Sequence, residues 1–203
     1  MFTTLYLLRH GRTIGDNERR YKGHTDVPLS DEGIKEAARS AQYIKKHAAK
    51  GLKHVYCSDL SRAIKSAEMI GRPFDLTPIT VEGLRERSFG KWEGMTFDEV
   101  MQGYPQEFGQ WATNPLQFSP VDGENTLDVC SRTMPVFYDI LNKHKNESIA
   151  IVAHGGVNRV ILATVLGIPL ENLFRIEQDF NCINIIEFYD DLPVVKALNY
   201  TCE

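Results

Sequence analysis

No run of about 18 apolar residues occurs anywhere in the 203-residue chain, so nothing in it reads as a membrane-spanning helix. The apolar opening MFTTLYLL is too short for the core of a signal peptide and lacks a basic segment before it, so a cytoplasmic protein is expected. Four cysteines (Cys57, Cys130, Cys182 and Cys202) include no C-x-x-C pair and match no zinc or redox spacing. Reduced, mostly buried thiols are the expectation. Excess positive charge is also missing: the formal net charge is −4, which argues against general affinity for nucleic acid or an anionic membrane. Low-complexity tracts, internal repeats and long linkers are absent too, and a single domain over residues 1–203 follows.

What is present alternates. TTLYLLRH has the length and β-type residues of a buried strand from Thr3 to Leu8 that ends in an Arg9-His10-Gly11 turn. From Ser30, an N-cap candidate, the residues Ile34, Ala37, Ala38, Ala41, Ile44 and Ala48 recur at helical spacing as far as Gly51. LKHVYCS and SIAIVAH read as two further strands, followed by the helices SDLSRAIKSAEMIG and GGVNRVILATVLGI. Strands alternating with amphipathic helices predict an α/β three-layer sandwich, a mostly parallel sheet with helices on both faces. Pro135 predicts a bend in the helix near NTLDVCSRTMPVFYDILNKH. The segment NCINIIEFYDDLPVVKALNYT predicts two strands around an Asp190-Asp191 turn. Residues 94–120, with a capping box from Thr96 to Glu99, predict one or two short helices walling the site. Their aromatics Phe97, Tyr104, Phe108 and Trp111 read more readily as core than as a specificity pocket.

On parallel sheets, ligands collect at the carboxyl ends of the strands. His10, Arg62 and His154 each fall at such an end or just beyond it, so the fold class predicts their convergence. Together with Arg9 they would form a concentrated positive pocket on an acidic chain, suited to a phosphoryl dianion shared between guanidinium forks. Neutral imidazole is a nucleophile, and neighbouring arginines depress the pKa of His10. LRERSFGKWEG offers Glu86 as an acid for a departing alkoxide; the plain alternative is an ion pair with Arg85 or Arg87. A metal held by His10 and His154 would need partner carboxylates, and the arginines would repel a cation. No metal and no cofactor are expected. The other histidines, His24, His47, His54 and His144, read as surface or boundary residues, and Arg87 and Lys91 as solvated.

LLRHGRT, RYKGHTDVPLSDEG, SDLSRAIKSAEMI, LRERSFGKWEG, DGENTLDV and VAHGGVNRVIL occur in the order and at the separations of the histidine phosphatase superfamily, branch 1, the phosphoglycerate-mutase-like branch, which the chain resembles along nearly its whole length. The resemblance implies that His10 takes the phosphoryl group and that Glu86 is the proton donor to the leaving group, then the base for water. It implies that Arg9, Arg62, Gly155 and a charged His154 bind phosphate, with Lys22, Gly23 and Arg85 towards the substrate. Two positions depart from the family pattern: Arg12 stands where glutamate or glutamine is common, and Asp16 where a phosphate-binding asparagine is usual. Asn17 is the candidate to take over that contact. The reaction implied is hydrolysis of a small phosphate monoester, most similar to that of α-ribazole phosphatases, with broad-specificity phosphatases close behind. A phosphoglycerate-mutase-type transfer and an inactive phospho-ligand-binding module are the alternatives, and homodimers are common in the family.

Overall fold

The computed structural model describes residues 2–18, 20–49, 51–190 and 192–202. Among these, strands β1 (Thr3–Arg9), β2 (His54–Cys57), β3 (Ile79–Thr80), β4 (Ser148–Ala153), β5 (Ile183–Tyr189) and β6 (Leu192–Tyr200) form one sheet in the order β3-β2-β4-β1-β5-β6. The first four strands of that order are parallel. The β5–β6 hairpin adds antiparallel at the β1 edge, so the sheet is mixed. Asp190 opens that hairpin with φ of 52°; Asp191, the other half of the expected turn, lies outside the described residues.

Alternation along the central strands builds the three layers. Leu5 and Leu7 of β1, with Ile149 and Ile151 of β4, face a core closed by helices α5 (Thr126–Lys143) and α6 (Gly155–Leu166). Tyr6, Leu8, Ala150 and Val152 point the other way, onto α1 (Asp31–His47) and α2 (Ser61–Gly71). Because side chains alternate with period two, both faces of a parallel strand must be apolar, which accounts for its continuous apolar sequence. Ser30 caps α1 as expected, its hydroxyl accepting from the Gly33 N–H at 3.1 Å. Helix α5 runs through Pro135 as one element. Pro135 and Ser131, whose carbonyl loses its helical partner, are both exposed, so water can replace the missing N–H.

Two short helices, α3 (Phe97–Gly103) and α4 (Pro105–Thr113), fill the 94–120 segment. The capping box between Thr96 and Glu99 is formed, with both reciprocal bonds present. The expectation that their aromatics are core is corrected. Phe97 is exposed, and the rings run outward as a chain of contacts from Phe97 to Phe108, Trp111 and Phe174. Helix α3 buries only Val100 and α4 none of its residues, which leaves their aromatics to pack on one another. Two polar expectations are corrected as well. Arg87 is buried and donates to the carbonyls of Glu124 at 2.6 Å and Phe118 at 2.9 Å. His144 is buried, and the Tyr56 hydroxyl meets its Nε2 at 2.8 Å. All four cysteines are free.

Candidate active site

A cavity of about 760 Å³ opens at the carboxyl ends of β1 and β2 and at the start of α6. Arg9, His10, Arg62, Glu86 and Gly155 line it, in agreement with the residues singled out above, as do Lys22 and Gly23. His154 caps α6 and is fully buried behind the wall, its ring 5.0 Å from that of His10.

His10 is positioned by backbone packing. The Gly11 N–H donates to Ser66 Oγ at 3.1 Å, and a Cβ on Gly11 would collide with the Gly33 carbonyl. Glycine is therefore required where the β1 end meets the start of α1. His10 Nδ1 lies 2.7 Å from the Gly11 carbonyl, an acceptor only, so Nδ1 carries the proton and Nε2 keeps its lone pair. Burial first, then the Arg62 and Arg9 charges, holds the His10 pKa well below the usual imidazole range. The sequence supplied the arginines as a cause; the larger one is desolvation.

The guanidiniums are fixed by carbonyls. Arg9 donates to the Gln178 carbonyl at 2.6 Å and lies 3.9 Å from the centre of the Phe180 ring. Arg62, almost fully buried, donates to the carbonyls of Thr25 at 2.9 Å and Gly23 at 2.7 Å. Carbonyl partners orient the forks without neutralising them. Arg9 Nε, Arg62 Nε and both ring nitrogens of His154 are buried without a hydrogen bond to any of the described residues. Buried polar groups in folded proteins almost always have partners, so four such atoms around one histidine mark a ligand position. The resemblance implied a charged His154, but burial, then His10, Arg62 and Arg9, pushes its pKa well down. A dianion bound against the ring acts in the opposite direction.

The Glu86 carboxylate accepts from the Gly156 N–H at 3.1 and 3.2 Å and from the Arg87 N–H at 2.9 Å. Neither the Arg85 nor the Arg87 side chain pairs with it, so the plain ion-pair reading fails. Arg85 instead forms a bidentate pair with Asp59 at 2.8 and 2.6 Å and does not line the cavity. Its place on the substrate side is withdrawn, because Asp59 draws it to the far side of the chain.

Asn17 is exposed and does not line the cavity, whereas Asp16 does. The repulsion expected from Asp16 is met by the other departure. Arg12 Nη1 lies 3.0 Å from Asp16 Oδ2, and Arg12 Nε lies 3.0 Å from Glu36 Oε1. The two unusual residues compensate each other.

Several supports gave no sequence signal. Arg132, a cation inside the amphipathic helix α5, donates to the carbonyls of Gly83, Arg85 and Glu86 and pairs with Glu124 at 2.7 Å. His24 did carry a signal, since its GHTD segment lies where the resemblance puts residues near the substrate, and its Nε2 meets the Glu86 carbonyl at 2.8 Å. Glu93 accepts from the backbone of His24, Thr25 and Phe89, tying the loop before α1 to the segment after Glu86. The second W of the chain, Trp111, reaches the cavity with Phe174, which the sequence did not connect to the site.

Known proteins share this fold and part of this sequence. Phosphoserine phosphatase 1 of Hydrogenobacter thermophilus is 28% identical over 98% of this chain and 92% of its own. The solved structure of YhfR from Bacillus stearothermophilus is 33% identical, covers 96% of each chain and superposes with a TM-score of 0.87. A putative α-ribazole-5′-P phosphatase from Escherichia coli is 26% identical, covering 98% of this chain and 96% of that one, with a TM-score of 0.88. The model of the histidine phosphatase superfamily, branch 1, matches residues 5–201, and the chain belongs to that family.

Proposed function

We propose that the protein is a phosphomonoesterase that passes a phosphoryl group through His10 to water. The observation that carries this reading is the set of four unpartnered buried nitrogens, on Arg9, Arg62 and His154, gathered about a histidine whose Nε2 lone pair is free. In the first step His10 Nε2 attacks phosphorus, the ester P–O bond breaks, and the leaving oxygen takes a proton from the Glu86 carboxyl. The imidazolium formed at His10 is stabilised by its Nδ1–H bond to the Gly11 carbonyl. In the second step Glu86 accepts a proton from water, the water oxygen attacks phosphorus, and the P–N bond electrons return to Nε2. Arg9, Arg62, His154 and the Gly155 backbone hold the equatorial oxygens, where charge stabilisation provides most of the catalysis in phosphoryl transfer.

The cavity, about 760 Å³, lies in the upper half of the roughly 300–1,000 Å³ typical of small-molecule sites. Trp111 and Phe174 give its wall an aromatic surface, and Lys22 adds a cation. A phosphorylated nucleoside fits these features better than phosphoserine, and the likeness to the Escherichia coli protein points the same way. α-Ribazole 5′-phosphate, a precursor in cobalamin assembly, is therefore the first ester to test.

Brief exposure to p-nitrophenyl phosphate, with mass spectrometry under conditions that preserve acid-labile phosphate, tests the reaction. Phosphate on His10 with continuous release of inorganic phosphate, both lost in His10→Ala, is the expected result. A phosphoenzyme that persists without release would make the protein a phosphotransferase of the mutase type. Neither label nor turnover across a varied ester panel would leave only phospho-ligand binding.

A further inference from the structure

At the opposite end of the sheet, where β2 begins and α5 leads into β4, His54, His144 and Glu147 bring one ligand atom each to within 4.8 Å of the others. The reaction proposed above uses none of them. We propose that these three side chains form a zinc site of two histidines and one carboxylate, with a fourth position open to water.

The spacing suits the ion. Tetrahedral Zn²⁺ with Zn–N and Zn–O bonds of about 2.0–2.2 Å sets neighbouring ligand atoms about 3.3–3.5 Å apart. Glu147 Oε2 lies 3.0 Å from His144 Nδ1 and 3.6 Å from His54 Nε2, and the three ligand atoms all lie within 4.8 Å of one another, so a rotation of the two imidazoles, whose ring centroids are 3.9 Å apart, is what completes the geometry. The surroundings have the form that supports a ligating histidine. The Tyr56 hydroxyl lies 2.8 Å from His144 Nε2, so it can take that N–H and present Nδ1 with its lone pair to the metal. Binding then moves the imidazole proton from Nδ1, where it faces Glu147, to Nε2, where it faces the Tyr56 oxygen.

The backbone bearing the ligands is tied down on both sides. Thr3 Oγ1 donates to the His144 carbonyl at 3.1 Å and accepts from the Asn146 N–H at 2.8 Å, and the Thr4 N–H donates to the Glu147 carbonyl at 2.9 Å. A preformed set of donors on a rigid loop loses little entropy on binding. His54 and Glu147 are a little over one-third exposed, which leaves a path for entry, while His144 is largely covered. The ion would join the start of β2 to the α5–β4 loop and act as a clamp on the fold, far from the phosphoryl cavity.

Titration of chelator-treated protein with ZnCl₂ tests the site, followed by calorimetry and thermal unfolding, with CoCl₂ as the spectroscopic probe. One equivalent binds, Co²⁺ gives the visible bands of a low-coordinate site, and Tm rises by about 5–10 °C at a hundredfold excess over Kd. Tyr56→Phe weakens binding about 10- to 100-fold, and His54→Ala and Glu147→Gln weaken it further, while their metal-free Tm values show whether each variant is folded. His10→Ala retains the stoichiometry of the intact protein. Absence of stoichiometric binding overturns the proposal. So does binding that survives His54→Ala but is lost in His10→Ala, which would place the metal among the histidines of the phosphoryl pocket.

Discussion

Arg12 and Asp16 carry the most individual chemistry in the pocket. An aspartate on the wall of a phosphoryl site repels its ligand, and the Arg12 guanidinium, shared between Asp16 and Glu36 at 3.0 Å each, offsets part of that repulsion. Arg12→Gln leaves the Asp16 and Glu36 carboxylates without that cation; two unit charges roughly 8 Å apart at an effective dielectric near 20–40 interact by about 1–2 kcal/mol. The expected result is a KM about 5- to 30-fold higher for a phosphate ester, with kcat nearly unchanged. Adding Asp16→Asn restores the KM, and a double-mutant cycle without coupling would show that the pair does not act as a unit. The candidate set was legible because Arg9, His10, Arg62 and His154 lie in short motifs at or just past strand ends, and Glu86 in a motif between two arginines, positions that follow from local pattern. Arg132 and Glu93 were not. Their role is to hold backbone carbonyls and N–H groups of distant segments, and no periodicity records which segments fold together. Asn17 and Arg85 were misplaced for the same reason: a one-residue difference in a short turn, or a partner such as Asp59, decides where a side chain goes.

Helices and strands were read well where burial and period agree, as in α1 with its Ser30 cap and in the apolar strands β1 and β4. The antiparallel seat of β5 beside β1 was hidden, because strand pairing is decided between segments about 180 residues apart. Helix α5 shows how an element overrides a local penalty. Proline inside a helix costs about 3 kcal/mol, yet the buried face of Val129, Thr133, Met134, Phe137 and Ile140 holds the helix on the sheet. Pro135 itself is exposed, so nothing packs against its ring to resist replacement. Pro135→Ala regains one helical hydrogen bond and loses up to about 1 kcal/mol of unfolded-state restriction, for a net gain of about 2 kcal/mol. In a chain of this size that raises Tm by about 4–8 °C, measured by calorimetry. A fall in Tm would mean that α5 is shaped around the proline and needs the altered backbone there.

For the molecule as a whole, the phosphoryl pocket is a concentrated cationic site in a chain of net charge −4, and its two central histidines are held neutral by burial and by Arg62 and Arg9. An unfolded chain returns both to a pKa near 6.5. Below that value the unfolded state therefore binds more protons than the folded one, and stability falls as pH falls. The slope reaches about 1.4 kcal/mol per pH unit for each histidine. Asp59, Glu93 and Glu124, whose pKa values are held down in the folded state, share this direction, but their contribution begins only as pH approaches the unfolded carboxylate range near 4. Between pH 6.5 and 5.5 the histidines dominate, and urea unfolding should lose about 1–3 kcal/mol over that interval. His154→Gln, which has no proton to gain, should retain about half the slope, and saturating inorganic phosphate should flatten it because a bound dianion favours the charged rings. A stability that is level across this interval in phosphate-free buffer would mean that both histidines already bind protons when folded. The pocket would then lack the neutral nucleophile on which the phosphoryl-transfer reading depends.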